Sequence, residues 1–497
     1  MSYSNRYMLA VFGACLCVVA VGFIFWERAR YLKGVYYPGK TLALIGNSIE
    51  VGKNIERLHD WKLYHAKKAI GLGGKCWQYS LFGRNAGTLE LLDPELIKYV
   101  LKTNMDNFGK GGLFNETFRD LLGDGIFNSD GASWKLHRAL ISPIFSARRL
   151  TEHMEGVFLK HGYQVINILE RAARDDQTID LQDLFFRYTF DCICEIAFGF
   201  ESNTLERNNE FSGAFDKAQR IIFGRMFTLP IVWKSKRLLG VMEERELSEA
   251  IGCLDKYVWG IIEERREDKS FSERDDLLSW AMNNMGLQEI NYLRDLVLNV
   301  MIAGRDTTAC TLTWLFYILG RRGDIDGKIY EEIESVVGDD AVSYEHLKEM
   351  KYLGACVSET LRLYPAVPMD GKVSVEDCVL PNGLKIPRGT NIFYSAYVIN
   401  RLESIWGKDA ESFVPERWFD GPNVNNISGY VFPTFNAGAR LCLGKPMALV
   451  EIKILAVMLL KKFRFTFTRE ATYNLNIVLS MKGGLNVMVR ERGKKLK

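Results

Sequence analysis

The chain has 497 residues, 47% of them hydrophobic and 25% charged, which suits a globular protein rather than a disordered or low-complexity one. A net charge of +3 is too small for the basic stripes of a nucleic-acid binder, and ten cysteines over this length exclude a disulfide scaffold. No interior stretch reads as a linker, no internal repeat is visible, and a chain this long buries a core big enough to enclose a large cofactor.

In chain order, Tyr7 to Trp26 is a run of twenty residues without a charge, enough for one membrane-spanning helix. Arg28, Arg30 and Lys33 follow the run while only Arg6 precedes it, so the positive-inside rule places the rest of the chain in the cytosol. Residues 1–30 are therefore expected to be an N-terminal membrane anchor, and residues 31–497 a single domain. Tyr37-Pro38-Gly39-Lys40 is a short breaker between them. Residues 45–90 predict a long helix and a small strand pair. From Trp134 to about Leu460 helical periodicity dominates, and Trp134 and Arg138 stand four apart on one predicted helix face. Asn291 to Leu319 predicts a long helix, nearly apolar over its second half. Leu353, Cys356, Val357, Thr360, Leu361 and Tyr364 recur at helix spacing up to Pro365. Strands are expected between Asp377 and Asn391 and after Phe463. The fold class is mainly α with minor β. The ending Lys494-Lys495-Leu496-Lys497 is similar to a dilysine retrieval signal of the endoplasmic reticulum.

Three stretches carry chemistry. In Phe435-Asn436-Ala437-Gly438-Ala439-Arg440-Leu441-Cys442-Leu443-Gly444, glycines flank a cysteine, and Pro446 then opens an apolar helix. A thiolate is favoured at such a helix N-terminus, glycines let the backbone approach a flat cofactor, and Arg440 can pair with a carboxylate of that cofactor. Glu359-Thr360-Leu361-Arg362 places an acid and a base three apart on a helix that otherwise looks buried, and Pro415-Glu416-Arg417-Trp418 precedes the cysteine loop. Ala303-Gly304-Arg305-Asp306-Thr307-Thr308 puts an acid and hydroxyls inside the long apolar helix, where propensity disfavours them. A threonine there can bond the carbonyl one turn back and bend the helix, and with Gly304 in that turn a groove for dioxygen could open. The six histidines show no metal-ligand spacing.

These motifs, in this order, resemble the cytochrome P450 family over nearly the whole chain after the anchor. The resemblance implies the cytochrome P450 fold and haem b, with Cys442 as the axial thiolate on the iron. It gives Glu359, Arg362 and Arg417 a bracing role behind the haem loop, and makes Asp306 a proton relay with Thr307 as partner of the activated oxygen. Phe435 and Gly438 belong to the cofactor loop, and Trp134, Arg138, Arg440 and Lys372 are implied ligands of the haem propionates. Ala439 stands where many relatives have proline.

Finer stretches, Leu121 to Asn128, Thr189 to Gly199 and Ile405-Trp406-Gly407, are similar to the plant and fungal group that hydroxylates fatty acids near the chain end. The resemblance thus implies a monooxygenase that inserts one atom of O2 into a lipophilic substrate, with a long-chain fatty acid favoured over a sterol or isoprenoid. Phe114, Phe127, Val300, Ala303, Val367, Met369 and Met481 are expected in the substrate pocket. Lys110, Arg119 and Arg225 are positional candidates to face a carboxylate, although solvated surface charges are the blander account of each. A haem isomerase without dioxygen is the other class of reaction, and the Asp306-Thr307 pair argues against it. The implied partners are NADPH–cytochrome P450 reductase, optionally cytochrome b5, and the bilayer. The expected location is the endoplasmic reticulum membrane, single-pass, with the haem domain cytosolic.

Overall fold

A computed structural model describes residues 32–39, 45–81, 87–146, 153–207, 210–285, 290–419, 427–467 and 469–493. The expected span at Tyr7–Trp26 and the terminal lysines lie outside the described residues. Among the described residues no helix is long and apolar enough to cross a membrane. The described residues divide into two compact units: those up to Gly111 with Met369–Val398, and those of Gly112–Pro368 with Ile399–Lys497.

The smaller unit is built on a five-stranded sheet in the order Cys76–Tyr79, Thr88–Leu91, Asn391–Tyr394, Asp370–Ser374, Phe108–Gly109. The first two strands form the antiparallel pair expected from residues 45–90, with Cys76 opposite Leu91. Thr88–Leu91 then pairs in parallel with the distant Asn391–Tyr394. Helix α1 (Leu58–Gly71) buries Leu58, Trp61, Leu63, Ala66 and Ala69, and the rings of Trp61 and Trp77 meet edge-on at 5.5 Å. The same unit buries charges in pairs, as burial requires. Lys62 is bonded to Glu90, while Asp370 accepts from Lys110 at 2.9 Å and from Lys372 at 2.8 Å. Burial alone would raise the Asp370 carboxyl, but the two ammonium groups hold it well below the usual carboxylate range.

The larger unit is mainly helical. Its helices include α2 (Gly131–Ile141), α3 (Leu181–Phe198), α4 (Glu210–Arg225), α5 (Pro230–Leu239), α6 (Ile290–Arg321), α7 (Lys351–Leu363) and α8 (Lys445–Lys462). The cap residues of α3 explain its limits: the Asp180 carboxylate accepts from the Gln182 amide at 2.9 Å, and Gly199 closes the helix at φ 54°. The 32-residue α6 would run roughly 48 Å at 1.5 Å per residue. It packs tightly on α3 through Gly304, where a Cβ would fall 2.4 Å from Ile193 Cγ1. The missing side chain of Gly304 lets the two helices approach closely. Cys192, Cys194, Cys310 and Cys356 are buried, and desolvation pushes each thiol well above its ordinary pKa. A three-stranded antiparallel sheet, Thr178–Asp180, Asn486–Glu491, Phe463–Thr466, completes the unit.

Candidate active site

The cysteine loop is held by its backbone before any side chain acts. Asn436 sits at φ 60° and ψ −170°, a region that non-glycine residues rarely occupy, and its own side chain bonds the Ala437 amide at 2.8 Å. Gly438 follows at φ 62°. The Cys442 amide then donates to the Phe435 carbonyl at 2.9 Å, closing the loop. Gly444 is the N-cap of α8 and Pro446 lies in its first turn, so the free amides of the helix start point toward the preceding residues. The Cys442 sulfur accepts from the amides of Gly444 and Lys445. Cys442 is exposed, yet protein surrounds it closely. Desolvation pushes the thiol up, and the two amides with the charges of Arg138 and Lys445 draw it back down.

Arg138, whose charge acts on the sulfur, shares the Trp134 ring with Arg440. Trp134 on α2 is buried, with Arg440 4.5 Å and Arg138 5.7 Å from its ring centroid. Arg440 donates through one nitrogen to the Asp130 carboxylate at 2.6 Å and to the Ser129 carbonyl at 3.2 Å. Arg138 has no carboxylate partner among the described residues, and burial lowers its pKa while Cys442 raises it. Lys445 lies 5.5 Å above the Phe435 ring. Lys372 belongs to the smaller unit, where its ammonium donates to Asp370.

Behind the loop, Glu359 and Arg362 are fully buried and form a bidentate pair, both bonds at 2.8 Å. Glu359 also accepts from Arg417 at 2.9 Å, from the Trp418 indole at 3.0 Å and from the Val414 amide at 2.9 Å. Arg362 gives its remaining donors to the carbonyls of Asn400, Ala410 and Ser412. Asn400 donates to the Arg362 carbonyl and to the Thr434 hydroxyl, and Thr434 bonds the Leu361 carbonyl. The brace therefore reaches the residue just before Phe435. Sequence reasoning missed Asn400 and Thr434, because neither has a distinctive spacing.

On α6, the Thr307 hydroxyl donates to the Ala303 carbonyl at 2.8 Å, the expected bond one turn back. Asp306 is buried, and Arg305 donates to it at 2.8 Å and Gln219 of α4 at 2.7 Å. Desolvation raises its carboxyl to about 6; Arg305 lowers it, the Asp216 charge raises it and the Gln219 bond lowers it. Arg305 is thus the charged partner of the buried Asp306 carboxylate.

Val300 and Met481 are buried in one apolar core, and Phe114 packs against it, stacked on Phe118 at 4.4 Å. Ala303, Phe127 and Val367 are exposed, and Met369 lies in the smaller unit beside Lys62. Arg225 is not a solvated surface charge: it is buried, bonded to Glu244 and to Asp120, and stacked on Trp233. Arg119 pairs with Asp124, and Lys110 with Asp370, so each of the three already faces a carboxylate.

The cytochrome P450 family model matches residues 38–485. Cytochrome P450 704C1 of Pinus taeda is 35% identical to this chain, covering 96% of each. Cytochrome P450 94B3 of Arabidopsis thaliana is 36% identical over 92% of each, and cytochrome P450 94A2 of Vicia sativa 35% identical over 80% of this chain and 81% of its own. The chain belongs to the cytochrome P450 family. It is an oxidoreductase of the monooxygenase class, and membership implies haem with a thiolate-ligated iron, electrons from a reductase and a lipophilic substrate. The residues present fit that group: an accessible thiol backed by two amides, a loop whose backbone is shaped by Asn436 and Gly438, and the uncommitted cation of Arg138 beside it.

Proposed function

We propose that this cytochrome P450 hydroxylates a long-chain fatty acid at or near its methyl end. The observation that carries the reading is the resemblance of Leu121–Asn128, Thr189–Gly199 and Ile405–Gly407 to the fatty-acid-hydroxylating group. Two features of the site support it. The residues assigned to the pocket are apolar, and each buried methylene stabilises a bound chain by about 0.8 kcal/mol, so an alkyl chain needs few polar contacts. Lys110, Arg119 and Arg225 are each neutralised by an acid, which favours a carboxylate left near solvent over one drawn deep into the protein.

Bound at Cys442, haem b would supply the iron chemistry that activates dioxygen. The chain's own residues would do the rest. The amides of Gly444 and Lys445 stabilise the thiolate, and Glu359, Arg362 and Arg417 hold the loop. Trp134, Arg138 and Arg440 would hold the propionates, Asp306 would pass protons inward and Thr307 would hold a proton at its hydroxyl where oxygen is activated. The proposed partners are NADPH–cytochrome P450 reductase and cytochrome b5, at an endoplasmic reticulum membrane. In support of a bilayer, α5 and the turn after it expose Ile231, Leu238, Leu239 and Met242, with Leu238 87% exposed. Mass spectrometry of the products from C12 to C18 fatty acids with a reductase tests the substrate. Terminal or near-terminal alcohols are expected. If no acid is oxidised while a sterol is, the substrate is a sterol and the monooxygenase class stands.

A further inference from the structure

Lys445 opens α8 at a place that disfavours it. The start of a helix carries the positive end of its dipole, which repels a cation, and the first turn of α8 holds no acid to offset one. The side chain is also half-buried, and desolvation lowers its pKa. Its ammonium stands over the Phe435 ring, 5.5 Å from the centroid, a contact that fixes where the charge sits. Three features tie that charge to the Cys442 sulfur. The Lys445 amide donates to the sulfur, the Cys442 amide donates to the Phe435 carbonyl at 2.9 Å, and the charges of ammonium and thiolate act on each other. A thiolate at Cys442 is thus the anion that offsets both costs of a lysine here. Arg138, the other cation that acts on the sulfur through a side chain, stands on the Trp134 ring and would face a haem propionate that offsets it. Lys445 belongs instead to the helix whose first amides bond the sulfur.

We propose that the Lys445 ammonium sets the reduction potential of the haem iron, by stabilising the negative charge that gathers on the Cys442 thiolate when the iron accepts an electron. In that step one electron passes from the reductase to the iron, Fe(III) becoming Fe(II); no bond breaks and no proton moves on Lys445. One negative charge is added beside a fixed cation, so the cation favours the reduced form and its loss favours the oxidised one. A unit charge several ångströms away in a half-buried site shifts such an equilibrium by about tenfold, which for one electron is about 59 mV. Lys445 acts through the thiolate and is a positioning residue, in a scheme that rests on Cys442 as the ligand of the iron.

Potentiometric titration of the haem-loaded protein, without reductase or substrate and followed by haem absorbance, reads the midpoint directly. Lys445→Gln should lower it by about 59 mV, a tenfold loss of the reduced form at a fixed potential. Lys445→Arg should restore the wild-type midpoint, because it returns the charge and can stack on Phe435. Lys445→Met matches the lysine in length, carries no charge, and takes the place of Lys445→Gln if that variant fails to hold haem. The carbon-monoxide spectrum checks that each variant keeps its thiolate ligand. A wild-type midpoint in the uncharged variants overturns the proposal; if those variants need more reductase for the same rate, the lysine belongs to a docking surface instead. A lowered midpoint that Lys445→Arg does not restore also overturns it, since side-chain shape rather than charge then sets the potential. If the wild-type protein itself lacks the thiolate-type band, ligation by Cys442 fails, and the proposal fails with it.

Discussion

Single residues in this protein are governed by whether a buried polar group has a partner. Glu451 is 1% exposed on α8, hydrogen-bonded to Cys192 of α3 and Thr308 of α6, and its Oε1 has no partner among the described residues. Desolvation raises its carboxyl well above the ordinary value, which favours the neutral acid in the folded protein. The sign of the linkage follows. As pH rises above about 4.3 the unfolded chain ionises Glu451 while the folded chain does not, and stability is lost. Glu451→Gln carries no such loss, so its stability relative to wild type should grow as the pH is raised above about 4.3. Thermal denaturation across a pH series measures this. Glu451→Ala should instead destabilise at every pH, by about 2–4 kcal/mol, because a cavity and two deprived partners remain. Thr307 poses a catalytic question. Thr307→Ala removes the hydroxyl that bonds the Ala303 carbonyl, and should keep haem and substrate binding while diverting most electrons to peroxide. Thr307→Ser should keep much of the coupling, and peroxide assays against NADPH consumption decide between the two outcomes.

Elements differ in how far the sequence discloses them. Helix α7 was readable because six apolar or buried positions recur at helix spacing and Pro365 ends the run; it spans Lys351–Leu363. Helix α6 was readable because a long apolar pattern has few other solutions. The five-stranded sheet was not, since its central parallel pair joins Thr88–Leu91 to Asn391–Tyr394, and one of its strands is only two residues long. No local pattern reports such a pairing. The same limit applies to the site. Cys442, Glu359 and Arg362 stand in dense local motifs, whereas Gln219, Asp216, Asn400 and Thr434 act across elements and carry no local mark. The brace is where element-scale stability meets function. Arg362→Ala would leave Glu359 buried with fewer donors and three backbone carbonyls unpaired, a loss of about 3–5 kcal/mol by analogy with other broken buried pairs. Haem content per chain, read from its absorbance, should fall to near zero. Arg362→Lys should rescue little, because an ammonium cannot match the bidentate fork.

At the scale of the whole molecule, the proposed attachment to a membrane rests on two segments far apart in the chain. Tyr7–Trp26 has the length and composition of a span. The second segment is α5 and the turn after it, with Ile231, Leu238, Leu239 and Met242 exposed together. The basic residues among them are largely neutralised: Lys234 pairs with Glu116, Lys236 with Glu243 and Arg237 with Asp120. Contact with lipid through α5 should therefore come from apolar burial rather than from attraction to anionic headgroups, and should depend little on salt. Deleting residues 2–30 should weaken attachment but leave the thiolate-type carbon-monoxide spectrum intact, since Cys442 and its brace lie wholly in the larger unit. The truncated protein should still sediment with neutral phosphatidylcholine vesicles, about equally at low and high salt. Leu238→Glu with Leu239→Glu in that background should release it to the supernatant, with the spectrum unchanged. Residual binding that survives the double substitution, or that vanishes in salt, would place the second contact elsewhere on the molecule.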